Sequence, residues 1–438
     1  MINTHPNIVI IGGGAGGLEL ASKLGNKLGK SRRANITLID KNRTHIWKPL
    51  LHEVATGSLD TSLDGVVYSA HAARHGFQFI LGEFINLDAE KQAIYLKEQY
   101  DSDGELILPQ RTVHYDELII AIGSVSNDFN TPGVSKHCYF LDSHQQAERF
   151  QHALLNCFTR VHQAASQLPE EQNRLSIAIV GGGATGVELS AELVHVAQLL
   201  KHYGMSAFTS TKLTIHLIEA GPTILPALPT RISNSARDEL RHLGVNILEG
   251  TKVSKATSEG FITDDNTLIQ ADLMLWAAGV KVADFIKNLD CFEFTRNNQI
   301  KVDEYLQAKG TSHIHVLGDA CACEQEDGTF VPPRAQAAHQ MASNVAHNIL
   351  AKFSGKSPKP FVYKDHGSLV NLSRFSAVGS LMGNLTNNTM FIEGNLARVM
   401  YLSLYRMHQN AIHGPVKTAA LWLSEKLLRI VRPKMKLH

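Results

Sequence analysis

Cysteine is scarce in this chain of 438 residues, which has only Cys138, Cys157, Cys291, Cys321 and Cys323. An odd, scattered set is not the disulfide framework of a secreted protein, so a reducing compartment is expected. No Cys-x-x-Cys or Cys-x4-Cys pair occurs, and His-Glu-x-x-His is absent. The 22 histidines include His71 with His75 and His313 with His315, but neither pair has a carboxylate or cysteine partner at ligand spacing, and no metal is assigned. Nor is there an apolar run of about 18 residues, so no membrane span is expected. Met1 to Asn7 shows no basic segment, apolar core or cleavage site, and no export signal is read there. Charge of one sign is also missing. With 42 Lys and Arg against 41 Asp and Glu, the formal charge is +1, which argues against a nucleic-acid binder.

What is present is an ordinary globular composition, 44% apolar with 33 Gly, in a length that suggests two or three domains. Within it one pattern occurs twice. Asn7-Ile-Val-Ile-Ile-Gly-Gly-Gly-Ala-Gly-Gly-Leu-Glu19 returns as Ser176-Ile-Ala-Ile-Val-Gly-Gly-Gly-Ala-Thr-Gly-Val-Glu188. Each copy is an apolar strand, a glycine cluster and a helical pattern, carried first by Leu18, Ala21, Leu24 and Leu28 and then by Val187, Ala191, Val194 and Leu199. This is the order of a dinucleotide-binding βαβ unit. Gly12 and Gly181 would turn the chain out of the strand. Gly14 and Gly183 would let the backbone approach a pyrophosphate, and Gly17 and Gly186 would let the helix pack on the sheet. The helix N-terminus offers unpaired N–H groups and a positive dipole end to the phosphates.

Each unit also needs an acid for the adenosine ribose. Ile36–Asp40 and Leu213–Glu219 read as strands ending in one, 28 and 38 residues after the first glycine of their copies. Both spacings exceed the usual ~20, so the extra length is placed in Lys27 to Ala34 and His202 to Lys212. A carboxylate at Glu219 would repel a 2′-phosphate, so the second site should prefer NADH to NADPH. Further strands end at Gly123, at Gly279 and at Gly318-Asp319, where ligands of a doubly wound sheet collect.

With these elements the sequence resembles the two-dinucleotide-binding-domain flavoproteins, and more closely the type II NADH:quinone oxidoreductases. Trp47-Lys-Pro-Leu-Leu-His-Glu-Val-Ala-Thr-Gly57 and Pro332-Pro-Arg-Ala-Gln-Ala-Ala-His-Gln340 look like segments of that family, the latter containing its AQxAxQ pattern. The resemblance spans essentially the whole chain. It implies an α/β fold of two nested Rossmann-like domains with a C-terminal amphipathic, membrane-docking segment. FAD would occupy 1–125 and 300–352, NADH would occupy 126–299, and 353–438 would associate with the membrane.

The resemblance implies hydride transfer from NADH to FAD and two electrons onward to a quinone, without proton pumping. Gly12, Gly14, Gly17, Asp40, Lys48, Gly123 and Asp319 would hold FAD. Gly181, Gly183, Gly186, Glu219 and Gly279 would hold NADH. Gln336 and Gln340 would line the quinone pocket from one face of a helix, as uncharged donors to quinone carbonyls. Glu188 is the candidate for the proton route, against the rival reading of an ordinary exposed helix glutamate. A sulfide:quinone oxidoreductase would need a cysteine pair beside the flavin. A non-catalytic flavin sensor would not need Glu219 and the two glutamines.

Charge is unevenly spread. From Asn395 onward Arg398, Arg406, Lys417, Lys426, Arg429, Arg432, Lys434 and Lys436 face one acid, Glu425, a net of +7 that leaves −6 for the rest. Gly414-Pro415 divides two helical patterns. The second carries the stripe Val416, Ala420, Leu423, Leu427 and Ile430, widened by Ala419, Trp422 and Val431. Either this stripe packs on the protein's own core or it lies on anionic lipid. The need to reach a lipid-soluble quinone favours lipid and a peripheral place on the cytoplasmic face of the inner membrane. The same segment is a candidate homodimer contact.

Overall fold

The computed structural model describes the chain except residues 1–4, 62–64, 102, 164–172, 206–211, 374–375, 383–388, 432–434 and 436–438. It divides into two compact units. The first comprises Met1–Lys48, Gly65–Val125 and Val280–Lys364; the second comprises Pro49–Asp64, Ser126–Gly279 and Asp365–His438.

The first unit is built on a five-stranded parallel sheet, in the order Ile314–Val316, Glu117–Ile120, Asn7–Ile11, Asn35–Asp40, Gln78–Leu81. The runs Ile314–Val316, Glu117–Ile120 and residues 8–11 are buried along their length, as both faces of a parallel sheet require, while the edge strand Gln78–Leu81 is partly exposed. Ile10 pairs with Ile119 on one side and Leu38 on the other, so the strand order reverses beside Gly12. That reversal opens the crevice in which such sheets bind ligands. Leu18, Ala21, Leu24 and Leu28 are all buried. The helix Ala15–Leu24 continues through a widened turn at Gly25–Gly29, so part of the expected connection is helical. The helix Ala335–Lys352 packs on Ala15–Leu24.

The second unit repeats the plan with four parallel strands, in the order Asn246–Glu249, Leu213–Glu219, Leu175–Val180, Leu273–Trp276. Its order likewise reverses beside Gly181, between the last two strands. The helix Ala184–Leu199 buries Val187, Ala191 and Leu199, but also Glu188, Ser190, Glu192 and His195, so nearly every face is covered. Of the connection His202 to Lys212, residues 206–211 lie outside the described residues.

Three features of this division differ from the sequence reading. The chain returns to the first unit at Val280 rather than 300, and Pro49–Asp64 belongs to the second unit. The region expected to begin at 353 starts, in the second unit, at Asp365. It opens with an antiparallel meander, Gly367–Leu372, Ser376–Met382 and Thr389–Glu393, which the sequence reading did not contain. Ala397 of the helix Gly394–His413 is fully buried in a cluster with Ala377 of the meander. Gly414, with φ of +79°, ends this helix in the left-handed conformation that glycine tolerates, and Pro415 starts the next, Pro415–Val431.

On the second of these helices Val416, Ala419, Ala420, Trp422, Leu423 and Leu427 are exposed, Val416 to 82% and Leu427 to 58%. Among the described residues, the stripe therefore does not pack on a core of its unit. Ile430 and Val431, and the cationic side chains Arg398, Arg429, Arg432, Lys434 and Lys436, lie outside the described side chains. Arg406 forms a bidentate pair with Glu425, and the Lys426 ammonium sits 4.2 Å from the Trp422 ring centroid. Among the described residues no helix is long and apolar enough to cross a membrane, and no His, Cys, Asp and Glu cluster could hold a metal ion.

Candidate functional site: two glycine cradles and a buried carboxyl cluster

The two glycine turns have the same geometry. Gly12 and Gly181 have φ of +98° and +113°, which side chains other than glycine rarely adopt. A methyl group at Gly17 would lie 1.9 Å from the Gly12 carbonyl oxygen, and one at Gly186 would lie 2.0 Å from that of Gly181. Only glycine lets each helix approach its own turn so closely. At Gly14 and Gly183, by contrast, no atom lies within 4 Å of where a side chain would begin. Both residues cap their helices without a side-chain acceptor, so no capping side chain takes up the first N–H groups of either helix. This suits a pyrophosphate approaching along the backbone.

Both strand-end acids are tied to their cradles. Asp40 Oδ2 accepts the Gly13 N–H at 2.7 Å and its Oδ1 accepts that of Asn42 at 2.7 Å. Burial pushes Asp40 above the usual carboxylate range, against the pull of these bonds. Glu219 Oε2 accepts the Gly182 N–H at 2.7 Å, and Oε1 that of Gly221 at 2.7 Å. In the first unit Tyr68 Oη donates to the Gly13 carbonyl at 2.7 Å, and His45 Nδ1 lies 2.8 Å from the same oxygen. These two buttresses were absent from the sequence reading, because nothing in the sequence pairs them with residue 13.

Gly123 is left-handed, with φ of +71°, and opens onto free space. Beside it, Ser124 Oγ donates to Asp319 Oδ2 at 2.6 Å, and Lys48 Nζ donates to the Ser124 carbonyl at 2.8 Å. Gly123, Lys48 and Asp319 thus meet at one edge of the first sheet. Gly279 has φ of +65°, and the Phe129 ring lies 2.5 Å from where its side chain would begin. A donor-lined, sterically open cradle with an acid acceptor at the strand end fits a dinucleotide in each unit.

Gln336 and Gln340 stand one turn apart at the start of the helix Ala335–Lys352 and face the same segment. Gln336 Oε1 accepts from Tyr363 Oη at 2.8 Å. Gln340 grips the backbone of Lys364 at both ends of its amide, donating to the carbonyl at 2.7 Å and accepting the N–H at 3.0 Å. Gln340 therefore fixes this segment. Between the two, His339 Nδ1 is hydrogen-bonded to the buried Glu19, which also pairs with Lys23 at 2.5 Å. Burial alone would raise Glu19, but His339 and Lys23 outweigh it and hold the carboxyl below its ordinary range.

Glu188 lies in the second unit and is buried, not exposed. Its Oε1 accepts the Asn371 N–H at 3.0 Å, and its Oε2 lies 3.6 Å from His52 Nδ1. The Tyr401 hydroxyl faces the same carboxyl without a well-aligned bond. Burial first, then the nearby carboxylates Glu53 and Glu192, pushes Glu188 up to about 8, although Asn371 and Tyr401 pull the other way. Burial also holds His52 down to about 4, so it is neutral and supplies no countercharge. Near neutral pH Glu188 is a protonated carboxylic acid. Its partners come from the meander and the segment after residue 48, which is why spacing around Glu188 did not show them.

Cys321 and Cys323 are free and buried. Burial pushes Cys323 up to about 11 and Cys321 well above the ordinary thiol value, so neither offers a reactive thiolate.

Two parallel sheets, each with a glycine cradle at its switch point and an acid at the next strand end, define a nucleotide-dependent oxidoreductase of the two-dinucleotide-domain class. The pyridine nucleotide-disulphide oxidoreductase family model matches residues 6–342. The type II NADH:quinone oxidoreductase of Haemophilus influenzae is 46% identical, covering 99% of this chain and all of the relative. The enzyme of the same description from Mycobacterium tuberculosis is 28% identical over 95% of this chain and 87% of its own. An NDH2 from Plasmodium falciparum, solved in complex with NADH, superposes with a TM-score of 0.81 at 20% identity, covering 98% of this chain and 100% of its own. A sulfide:quinone oxidoreductase from Aquifex aeolicus shares the fold, with a TM-score of 0.72 at 17% identity over 97% of this chain and 95% of its own. This chain belongs to the type II NADH:quinone oxidoreductases and is a flavin-dependent oxidoreductase.

Proposed function

We propose that the chain is a respiratory NADH:quinone oxidoreductase that works at a membrane surface, with FAD in the first unit and NADH in the second. The observation that carries this is the duplicated cradle: two open glycine turns, each with its acid bonded to the middle glycine N–H at 2.7 Å. FAD, when bound, would supply the redox chemistry, a hydride acceptor for NADH and a two-electron donor to quinone.

The chain's own residues bind and orient. Gly12, Gly14 and Gly17 shape the approach for the FAD pyrophosphate, and Asp40 accepts from its ribose. Asp319, oriented by Ser124, and Gly123 border the rest of that cofactor, and Lys48 holds the Ser124 backbone in place. Gly181, Gly183, Gly186 and Glu219 do the same for NADH, with Gly279 at the neighbouring strand end. Gln336 faces the quinone, while Gln340 positions the segment that borders it. Glu188 holds the proton for quinone reduction at its buried carboxyl. The buried, high-pKa cysteines give no support to a sulfide-oxidising alternative.

The test is anaerobic stopped flow on the holoenzyme with NADH, then a soluble quinone. Flavin bleaching by NADH and recolouring by quinone are expected, whereas a flavin that NADH leaves oxidised overturns the reading.

The exposed stripe of Pro415–Val431 supports attachment to anionic lipid, the family's quinone acceptor supports a membrane surface, and its NADH donor, a cytoplasmic metabolite, supports the cytoplasmic face. Burying the exposed half of Trp422, Leu423 and Leu427 would contribute about 1 kcal/mol each. Replacing all three with Ser should strip the protein from anionic liposomes in flotation while leaving soluble-quinone activity intact. Undiminished flotation would remove this stripe as the lipid anchor and favour its role as the homodimer contact.

A further inference from the structure

One step along the second sheet from Glu219 lies a second acid. Glu219 and Glu249 are register partners on adjacent strands, so their side chains leave the sheet on the same face. Glu249 holds Arg237 through both carboxylate oxygens. Arg237 Nε lies 3.0 Å from Oε1 and 2.9 Å from Oε2, and Nη2 lies 2.9 Å from Oε1. The remaining arm, Nη1, donates to Asn234 Oδ1 at 2.7 Å. Glu249 Oε1 also accepts the Ile224 N–H at 2.8 Å. Ile224 in turn borders the cradle, since its Cγ2 lies 2.9 Å from where a side chain on Gly182 would begin. Both members of the ion pair are mostly shielded, with side chains 15% and 17% exposed. Arg241, a turn further along the helix Thr230–His242, adds its field to the same carboxylate.

An arginine at this place is what a 2′-phosphate would need, because the guanidinium fork matches phosphate oxygens. Here every nitrogen of that fork is engaged. We propose that Glu249 is a specificity-determining residue: by sequestering Arg237 it denies NADPH a counter-ion, alongside the repulsion from Glu219. Rejection of the 2′-phosphate thus has an attractive element removed as well as a repulsive one supplied. This rests on the reading of the second unit as the NADH site.

The experiment measures kcat/KM of the holoenzyme for NADPH and for NADH in the wild type, E249Q, R237A/E249Q and E219Q, with thermal melts as the check on folding. Glutamine at 249 keeps an acceptor for Ile224 and loses the charge that holds Arg237. In E249Q the NADPH-to-NADH ratio should rise about tenfold, the scale of one charged hydrogen bond, and the double variant should lose that gain. A ratio unmoved in folded E249Q, or an equal gain in R237A/E249Q, overturns the proposal. Should E249Q unfold, E249A with 2′,5′-ADP against 5′-AMP competition supplies the same comparison. Failure of the underlying reading looks different: E219Q would then leave the NADH parameters untouched.

Discussion

Glu19 and Glu188 occupy the same place in two copies of one motif, two residues beyond the third glycine, and both are buried. They nonetheless end in opposite charge states. Glu19 meets His339 and Lys23 and is held ionised, whereas Glu188 meets a neutral histidine, a tyrosine and other carboxylates and is pushed up to about 8. The glycine turns beside them are almost superimposable in their constraints. What a short motif specifies is thus backbone geometry, which local sterics enforce. The charge of a side chain within the motif belongs to its neighbours, among which His339 arrives from 320 residues away for Glu19 and Asn371 from 183 for Glu188.

The sharpest way to break the parallel is at the close helix approach. Gly17→Ala and Gly186→Ala each push a methyl group into a backbone oxygen, and we expect loss of about 3 kcal/mol or more, with little folded holoprotein recovered. A melt within a degree or two of wild type for either would deny the shared geometry. Next comes Glu188→Gln, which should slow quinone reduction by about 100-fold or more, within the range of acid–base contributions, and slow flavin reduction by NADH far less. Equal loss in both half-reactions would remove Glu188 from the proton route.

The pH dependence has a definite sign at each glutamate. Glu188 is protonated below about 8, so quinone reduction should fall as pH rises through that value, and the falling limb should vanish in the Gln variant. Because its carboxyl is raised on folding, stability declines with rising pH between its unfolded value of 4.5 and about 8. The sign reverses for Glu19, whose lowered carboxyl contributes stability above 4.5 that is lost as pH falls through its folded value. Glu19→Gln should therefore cost about 2 kcal/mol at neutral pH, below the range for a fully buried pair because Lys23 and His339 are partly exposed. Denaturant melts at pH 7 and at pH 3 check this, and an equal deficit at both would refute it. The smallest effect on folding is expected at Gly14→Ala and Gly183→Ala. Open space surrounds both, so melts of the apoprotein should barely move, while FAD retention in the first and NADH KM in the second worsen about tenfold. A loss of both ligands in either single variant would end the one-cradle, one-ligand assignment.

Much of the cradle architecture was legible because its signals are local. The strands before Gly12 and Gly181, the strand ends at Asp40 and Glu219 and the Gly414-Pro415 break all fall where the apolar runs and turn residues put them. The meander of residues 367–393 was not, since its stability comes from pairing and from the helix laid on it, and parts of its sequence carry no clear alternation. Nor was the engagement of Gln340 with Lys364, because helical spacing assigns a face to an amide but not its partner.

The sequence alone determined the duplicated turn, the positions of its acids and the segregation of charge toward one end, since each depends on neighbours within a few dozen residues. Tertiary structure decided which carboxyls keep their protons, which arginine is bound and whether the tail's apolar stripe is covered. Those outcomes depend on desolvation and on partners that lie from 12 residues away, for Arg237 and Glu249, to 320, for His339 and Glu19, and both come into being only when the chain folds.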